Sequence, residues 1–142
     1  MYAGVKVFLS YHVKDRPAAD GLRKGLRAAG LDVVDPVLDA DPGENLFERA
    51  SKALESSQAM VFLVSPDAVE SPWIRKELEY ALTQPRFEGR VVPIVARPTK
   101  DLPWILRKMT MLDLKTGPAQ TSRRAAELIR RTLSERRKQF GS

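Results

Sequence analysis

Apolar residues form five short runs that are rich in β-branched and aromatic residues. They cover residues 5–11, 31–34, 59–64, 91–96 and 109–114. Short runs of this composition, bounded by turn-forming residues, are typical of β-strands. The third run, AMVFLV, contains no polar residue, which favours a strand buried on both faces of a parallel sheet. Pro93 lies inside the fourth run and lacks a backbone donor, so we expect a bulge or one-sided pairing there.

Between these runs, apolar residues recur every three or four positions, as they do on one face of a helix. A first helix is expected between a cap at Asp15 and a terminating Gly30. Ser71, followed by a proline, predicts the start of another helix that runs to about Thr83. A last helix follows the Gly-Pro pair at 117–118. The predicted buried positions are Ala18, Leu22, Leu26 and Ala29; Leu46, Ala50 and Leu54, with Phe47 beside them; Ile74, Leu78, Ala81 and Leu82; and Ala125, Leu128, Ile129 and Leu133.

Three segments show neither pattern. Residues 35–45, DPVLDADPGEN, contain two prolines and a glycine and are predicted to form a loop. Residues 65–70, SPDAVE, are also predicted to be a loop. Residues 100–106, KDLPWIL, are expected to form a short helix or a turn.

Strands that alternate with helices predict an α/β fold, a mostly parallel sheet with helices on both faces. Five strands suit the flavodoxin-like order 2-1-3-4-5, whose ligand crevice lies at the carboxyl ends of the first and third strands. Those ends fall at residues 10–11 and 65–66, and the helix that begins at Ser71 follows soon after. That helix carries Trp73 and Glu77 four positions apart, on one face. The pattern therefore places an aromatic side chain and a carboxylate near the crevice.

Composition narrows the classes of function. The chain has 142 residues, 43% of them hydrophobic and 30% charged, which fits a single domain over residues 1–142 with its core at about 5–133. The absence of cysteine excludes disulfides, thiolate metal sites and a cysteine nucleophile. His12 is the only histidine, so no metal site is predicted. No apolar run approaches the ~20 residues of a membrane span, and we expect a cytoplasmic protein without a signal peptide.

The net charge of +6 is concentrated in the last predicted helix, from Arg123 onward. Its arginines lie beside one apolar stripe, which is typical of the solvated face of a terminal helix. No aromatic residue is interleaved with them, so we do not expect nucleic-acid binding.

Several motifs resemble, in their order and spacing, the Toll/interleukin-1 receptor (TIR) domain family. They are FLSY at 8–11, the proline- and glycine-containing loop at 35–45, LVSP at 63–66, SPWIRKEL at 71–78 and VVPI at 91–94. The resemblance covers about residues 5–133, and the short N-terminus looks more like that of a bacterial member. Some TIR domains are adaptors that only assemble, whereas others cleave NAD+ and release nicotinamide.

The resemblance implies a set of functional residues. Glu77, four residues after Trp73, occupies the position of the family's catalytic glutamate. Substrate-binding positions are expected at Ser10, Tyr11, Gly43, Leu46, Phe47, Ser65 and Trp73. NAD+ would be the substrate, with no further cofactor. The loop at 35–45 is expected to mediate head-to-tail self-association, and other TIR or effector proteins are expected partners in bacterial immune or cell-death signalling.

The reaction explains why one carboxylate suffices. Nicotinamide is already a cationic leaving group, so no acid is needed to protonate it. The oxocarbenium-like ribose that remains is stabilised electrostatically by a nearby carboxylate. Whether the product is ADP-ribose, a cyclic form or a conjugate is left open by the sequence.

The chain departs from some enzymatic members directly after Tyr11, where His12 and Val13 replace arginines that would contact the phosphates. The cations that remain as substitutes are Arg49, Arg75, Lys76 and Arg97. His12 is also a candidate general base, solely because it is the only histidine.

Three other functions compete with NAD+ cleavage. The first is a TIR adaptor without turnover, although an adaptor needs no carboxylate at Glu77. The second is a response-regulator receiver, but receivers need acidic residues where Ser10 and Ser65 stand. The third is a nucleoside deoxyribosyltransferase, a related fold that also uses a glutamate on an N-glycosidic bond.

Overall fold

The structure of the chain, a computed structural model, describes residues 5–39, 41–43 and 45–139, with side chains for all of these except 39 and 134–139. Five parallel strands form one sheet in the order β2-β1-β3-β4-β5, which confirms the predicted topology. The strands are β1 Lys6–Ser10, β2 Asp32–Val34, β3 Ala59–Val64, β4 Val91–Val95 and β5 Leu112–Asp113. Residues 1–4 and 140–142 of the predicted domain, and 40 and 44 of the predicted loop, lie outside the described residues.

The central strand β3 is buried along its whole length, as its apolar sequence predicted. It pairs with β1 from Val7↔Ala59 to Ser10↔Phe62 and with β4 from Met60↔Val91 to Val64↔Val95. This parallel register brings the carboxyl ends of β1 and β3 to the same edge of the sheet, where ligand crevices of this architecture lie.

Pro93 is accommodated by one-sided pairing, one of the two predicted solutions. The pairing of β4 with β3 continues through Phe62↔Pro93 without a bulge. Arg90 and Ala96 hydrogen-bond to β3, and because alternate residues of a strand point to opposite neighbours, the Pro93 nitrogen points toward β5. Pairing with β5 begins only at Ile94, so the missing donor interrupts no described ladder bond.

Seven α-helices occur within the described ranges. They are α1 Arg16–Ala28, α2 Pro36–Asp39, α3 Leu46–Ser56, α4 Pro66–Glu70, α5 Pro72–Thr83, α6 Trp104–Arg107 and α7 Pro118–Gln139. The Ser71 hydroxyl accepts a hydrogen bond from the Ile74 amide at the start of α5, as the Ser-Pro sequence predicted. Among these helices none is long and apolar enough to span a bilayer.

The helices cover the sheet in two layers. Side chains of α1 and α7 pack against one face in a cluster that includes Leu22 and Ile129. Side chains of α3 and α5 pack against the other face, in a cluster that includes Leu54 and Leu78. The α3–α5 layer is therefore the one that carries Glu77.

Three positions predicted to be buried are exposed instead. Leu46 and Phe47, in the first turn of α3, are 47% and 60% exposed, and Leu82, in the last turn of α5, is 38% exposed. Each of the three lines a surface cavity rather than packing against the sheet, because it lies at a helix end.

Two segments that were predicted to be loops contain short helices, α2 and α4. The prediction of loops was therefore wrong at these residues. In each, a cap is followed by proline at the first helical position, as at Ser71. Asp35 Oδ1 accepts from the Leu38 amide at the start of α2, and Ser65 Oγ accepts from the Ala68 amide at the start of α4. The two helices are too short for apolar periodicity to reveal them.

The fifth strand is shorter than predicted. It covers two residues rather than 109–114. On one side the Met109 amide donates to the Leu106 carbonyl at the end of α6, and on the other Asp113 Oδ1 accepts from the Lys115 amide and begins a 3₁₀ turn. Local hydrogen bonds at both ends therefore replace strand pairing. The helix α6 itself confirms the short helix predicted within 100–106, although it extends to Arg107.

Candidate functional site

The site is built around Glu77, which lies in the second turn of α5 over the end of β1. Ser10 Oγ donates to Glu77 Oε1 at 3.0 Å, and Trp73 Nε1 donates to Glu77 Oε2 at 3.0 Å. The spacing of four residues on α5 brings Trp73 and Glu77 together, and the register of β1 brings Ser10. The structure thus joins three of the residues named from the sequence.

The environment of Glu77 disfavours its charged form. Burial raises the pKa of Glu77 to about 7, against the lowering effect of the hydrogen bonds from Trp73 and Ser10. Both donors are neutral, and in the part of the chain that the structure describes no lysine, arginine or histidine forms an ion pair with this carboxylate. Near neutral pH the group is therefore poised between its two protonation states.

Trp73 is a surface residue, not part of the core. It is 41% exposed, and its ring meets the ring of Phe47 edge-on, with centroids 5.3 Å apart and planes at 89°. Phe47 comes from the first turn of α3. The two aromatic side chains therefore bridge α3 and α5 above Glu77.

Among the described residues, two cavities that reach Glu77 are both lined by Ala50, Trp73 and Glu77. The smaller, about 230 Å³, lies at the end of β1 and is lined also by Ser10, Tyr11, His12, Val37, Leu46 and Ile74 among others. The larger, about 480 Å³, lies between α3 and α5 and is lined also by Phe47, Leu54, Glu55, Lys76 and Tyr80 among others. The carboxylate is placed where the two cavities adjoin.

Tyr11 lines the smaller cavity, as predicted, but its hydroxyl points elsewhere. Tyr11 Oη donates to the Asp35 carboxylate, with oxygens at 2.8 Å and 3.0 Å, and Arg23 Nη1 donates to Asp35 Oδ2 at 3.2 Å. Burial and the neighbouring Asp35 raise the pKa of the Tyr11 phenol. Its hydroxyl therefore ties β1 to α1 and to the start of α2.

Ser65 and Gly43 line neither of the two cavities. Ser65 is fully buried, caps α4 and donates to Asp15 Oδ2 at 2.5 Å. Gly43 adopts a positive φ of 85° in a turn before α3, where a side chain would meet no atom but would strain the backbone. Both residues shape the segments that surround the site.

A charge network that the sequence interpretation missed links segments that follow three strands, and of its members only Asp15 is buried. Arg97 Nε donates to Asp15 Oδ1 at 2.7 Å and Arg97 Nη2 to Asp67 Oδ2 at 2.6 Å. These hydrogen bonds raise the pKa of Arg97, and the one from Arg97, more than that from Lys14, lowers the pKa of Asp67. Opposite charges shortly after neighbouring parallel strands were the signal that could have revealed the network.

The remaining candidates from the sequence take separate places. His12 lines the smaller cavity, and its Nδ1 accepts from the Lys14 amide, so it also caps a 3₁₀ turn. Lys76 lines the larger cavity, whereas Arg49 and Arg75 line neither. Within the described ranges, no group of three or more histidine, aspartate or glutamate side chains could hold a metal ion.

The five-stranded parallel sheet in this order places the protein among the α/β proteins of flavodoxin-like topology, here with a glutamate and a tryptophan at the carboxyl edge. The chain belongs to the TIR domain family, since the model of the TIR domain matches residues 7–129.

Curated relatives include both kinds of TIR protein. The chain is 32% identical over 97 residues to a human protein named Toll/interleukin-1 receptor domain-containing adapter protein, covering 67% of this chain and 43% of that protein. It is 30% identical over 97 residues to a protein from Actinoplanes sp. named NAD(+) hydrolase ApTIR, covering 62% of this chain and 13% of that protein. The matches thus span less than half the length of either relative.

Solved structures agree on the fold. The TIR domain of the Toll-related receptor TRR-2 from Hydra magnipapillata is 25% identical with a TM-score of 0.69, over 85% of this chain and 97% of that one. A metazoan TIR-STING receptor from C. gigas, solved in complex with 2',3'-cGAMP, is 22% identical with a TM-score of 0.71, over 89% of this chain and 40% of that one.

Proposed function

We propose that this TIR domain cleaves the bond between nicotinamide and ribose in NAD+, with Glu77 as the catalytic residue. The observation that carries the proposal is a largely buried carboxylate, held by two neutral donors and placed where two cavities adjoin. A perturbed carboxylate in a cleft is typical of catalytic groups. The similarity to a protein named NAD(+) hydrolase supports the same reaction.

In the proposed reaction the C1′–N bond breaks and its electron pair neutralises the pyridinium ring, which leaves as nicotinamide. The ribose becomes oxocarbenium-like, and the Glu77 carboxylate stabilises this positive charge. Attack by water, with loss of its proton to solvent, gives ADP-ribose. Attack by a nitrogen of the adenine, or by another acceptor, would give a cyclic product or a conjugate instead.

The neighbours of Glu77 have distinct roles in this proposal. Ser10 and Trp73 fix the two carboxylate oxygens, and the exposed ring of Trp73 with that of Phe47 forms a wall for the nicotinamide ribose. Leu46 provides apolar contact in the smaller cavity. Because Tyr11 directs its hydroxyl to Asp35, we assign it a positioning role rather than a polar contact with substrate.

Self-association is the second part of the proposal. Val37 and Leu38 of α2 are 37% and 39% exposed, and α2 contacts α3, whose first turn carries the exposed Leu46 and Phe47. An apolar patch of this kind at the mouth of the site suits contact with another TIR domain. We therefore expect a second copy to complete the pocket, so that assembly controls activity in a signalling or defence response.

The test is release of nicotinamide from NAD+ over a hundredfold range of protein concentration, with a crowding agent. Wild type should show a specific activity that rises with protein concentration, and Glu77→Ala should show none. Glu79→Ala removes the same charge from the exposed side of α5, outside both cavities, and should behave as wild type. Equal release from wild type and Glu77→Ala would overturn the assignment of Glu77.

The second candidate is an adaptor that binds other TIR domains without turnover, favoured by the similarity to the human adapter protein. It predicts self-association at the concentrations tested but no nicotinamide release by wild type. Because both functions predict self-association, nicotinamide release separates them, and sedimentation on the same samples shows that the domain was assembled when release was measured.

A further inference from the structure

A dinucleotide brings two phosphate charges into any site that binds it. Phosphate oxygens that leave water need charged or hydrogen-bonding partners. The residues directly after Tyr11 are His12 and Val13, and neither provides a permanent positive charge. Within one copy of the chain, a charged partner for the phosphates would therefore come from another element that borders the cavities.

The structure separates the cations that the sequence left as candidates. Arg97 is already bound to the carboxylates of Asp15 and Asp67, so its guanidinium is committed to the network that joins the strand ends. Arg49 and Arg75 line neither cavity. Of the described residues that line the two cavities, Lys76 is the only lysine or arginine.

Lys76 also has no competing partner. Within the described part of the chain its side chain makes no hydrogen bond or ion pair, and its ammonium nitrogen lies further than 4.0 Å from any carboxylate oxygen of the same cavity, including that of Glu55. It directly precedes Glu77 on α5, and both residues line the larger cavity. An unpaired ammonium on a flexible stem can reach a phosphate without breaking an existing contact.

The sizes of the two cavities set the direction of the substrate. Both cavities are lined mainly by apolar side chains, and the smaller, about 230 Å³, suits the nicotinamide ring by its size. The larger, about 480 Å³, is the one that can take the more extended part of a dinucleotide. With the scissile bond at Glu77, the phosphates fall in the larger cavity.

We propose that Lys76 binds the phosphates of the dinucleotide substrate in the larger cavity and makes the site selective for a phosphorylated ligand. This inference rests on the proposed function for the identity of the substrate. It assigns to α5 both the residue that acts on the ribose and the residue that holds the phosphates.

The first experiment measures binding of ADP-ribose, which carries both phosphates but no scissile bond, by calorimetry. Lys76→Met should raise the dissociation constant about tenfold, as expected for loss of a charged hydrogen bond. Lys76→Arg should retain most of the affinity. Lys24→Met, which removes the same charge from an exposed position on α1 across the sheet, should change it less than about twofold. Equal affinity of wild type and Lys76→Met, or no binding by wild type, would overturn the proposal.

The second experiment compares cleavage of NAD+ with cleavage of nicotinamide riboside, which lacks phosphate. Lys76→Met should lower kcat/KM about tenfold for NAD+, mainly through KM, and leave nicotinamide riboside unchanged. Equal losses for both substrates would contradict a phosphate contact. If wild type releases no nicotinamide, the proposed function fails, while the binding of ADP-ribose still decides the role of Lys76.

Discussion

Asp35 and Glu77 both lie near the carboxyl edge of the sheet, Asp35 fully buried and Glu77 partly buried, but they have different partners. Asp35 is fully buried, accepts two contacts from the Tyr11 hydroxyl and forms an ion pair with Arg23. Glu77 accepts hydrogen bonds from Ser10 and Trp73, both neutral, and borders two cavities. One carboxylate has a cation as its partner and the other does not.

The difference indicates what each carboxylate does. A buried carboxylate that is paired and hydrogen-bonded is fixed in its charged form and connects the elements around it. A buried carboxylate without a cation changes protonation near neutral pH, and its negative charge is uncompensated until a positive charge arrives. An oxocarbenium-like ribose is such a charge, so the region around Glu77 is suited to chemistry and the region around Asp35 to structure.

Removal of the charge at Asp35 should have the largest effect. Asp35→Asn leaves the buried Arg23 guanidinium without its innermost counterion, and we expect the free energy of unfolding to fall by about 3 kcal/mol or more. Urea denaturation measures this change. Asp32→Asn, at an exposed position of β2, is the control and should change stability by less than about 0.5 kcal/mol. Similar small changes in both variants would remove the distinction between the two carboxylates.

Removal of the charge at Glu77 should raise the stability of the folded protein rather than lower it. Its pKa in the folded protein, about 7, lies above the ordinary value of 4.5, so ionisation weakens the folded state as pH rises between these values. Glu77→Gln should therefore be more stable than wild type at pH 8, by up to about 3 kcal/mol, and similar to it near pH 4.5. Thermal unfolding at the two pH values tests this. A variant less stable than wild type at pH 8 would contradict the raised pKa.

Loss of the Tyr11 hydroxyl should weaken the structure without changing substrate binding. Tyr11→Phe removes the donor to Asp35, and we expect a loss of about 1–2 kcal/mol in stability with the KM for NAD+ unchanged. Denaturation and steady-state kinetics on the same preparation give both values. A large rise in KM with unchanged stability would mean that the hydroxyl binds substrate after all.

The smallest effect is expected when the hydrogen bond from Trp73 of α5 to Glu77 is removed. In the wild type, the hydrogen bond from Trp73 Nε1 lowers the pKa of the Glu77 carboxyl. Trp73→Phe keeps an aromatic ring but removes this donor. The pKa should then rise by about 0.5 to 1, the equivalent of one modest hydrogen bond. An NMR titration of the Glu77 carboxyl carbon in both proteins measures the shift, and an unchanged midpoint would show that the hydrogen bond has no electrostatic role.

The sequence predicted the elements that depend on a periodic pattern of apolar residues. Alternating apolar runs and helical periodicity were enough for five strands, their order and the placement of Glu77 at the carboxyl edge. The short helices α2 and α4 were not predicted, because they have no apolar periodicity and depend on a single capping side chain each. The fifth strand was predicted too long because local turns compete with its pairing.

Contacts between distant residues were beyond the sequence pattern. Arg97 and Asp15 are separated by 82 residues, and Tyr11 and Asp35 by 24, so periodicity alone cannot pair them. For this reason the sequence did not reveal that the Tyr11 hydroxyl donates to Asp35, and Arg97 was retained as a candidate partner of the phosphates. Spacing predicts which edge of the sheet a residue reaches, but not which side chain it meets there.

The pH dependence of nicotinamide release tests the central claim most directly, measured at a protein concentration where wild type is most active. If the ionised Glu77 stabilises the developing charge, kcat/KM should rise about tenfold per pH unit below 7 and level off above it. Glu77→Gln should show no release at any pH, and Glu79→Gln should reproduce the wild-type profile. A profile that is flat from pH 5 to 9, or the same in Glu77→Gln as in wild type, would contradict the account.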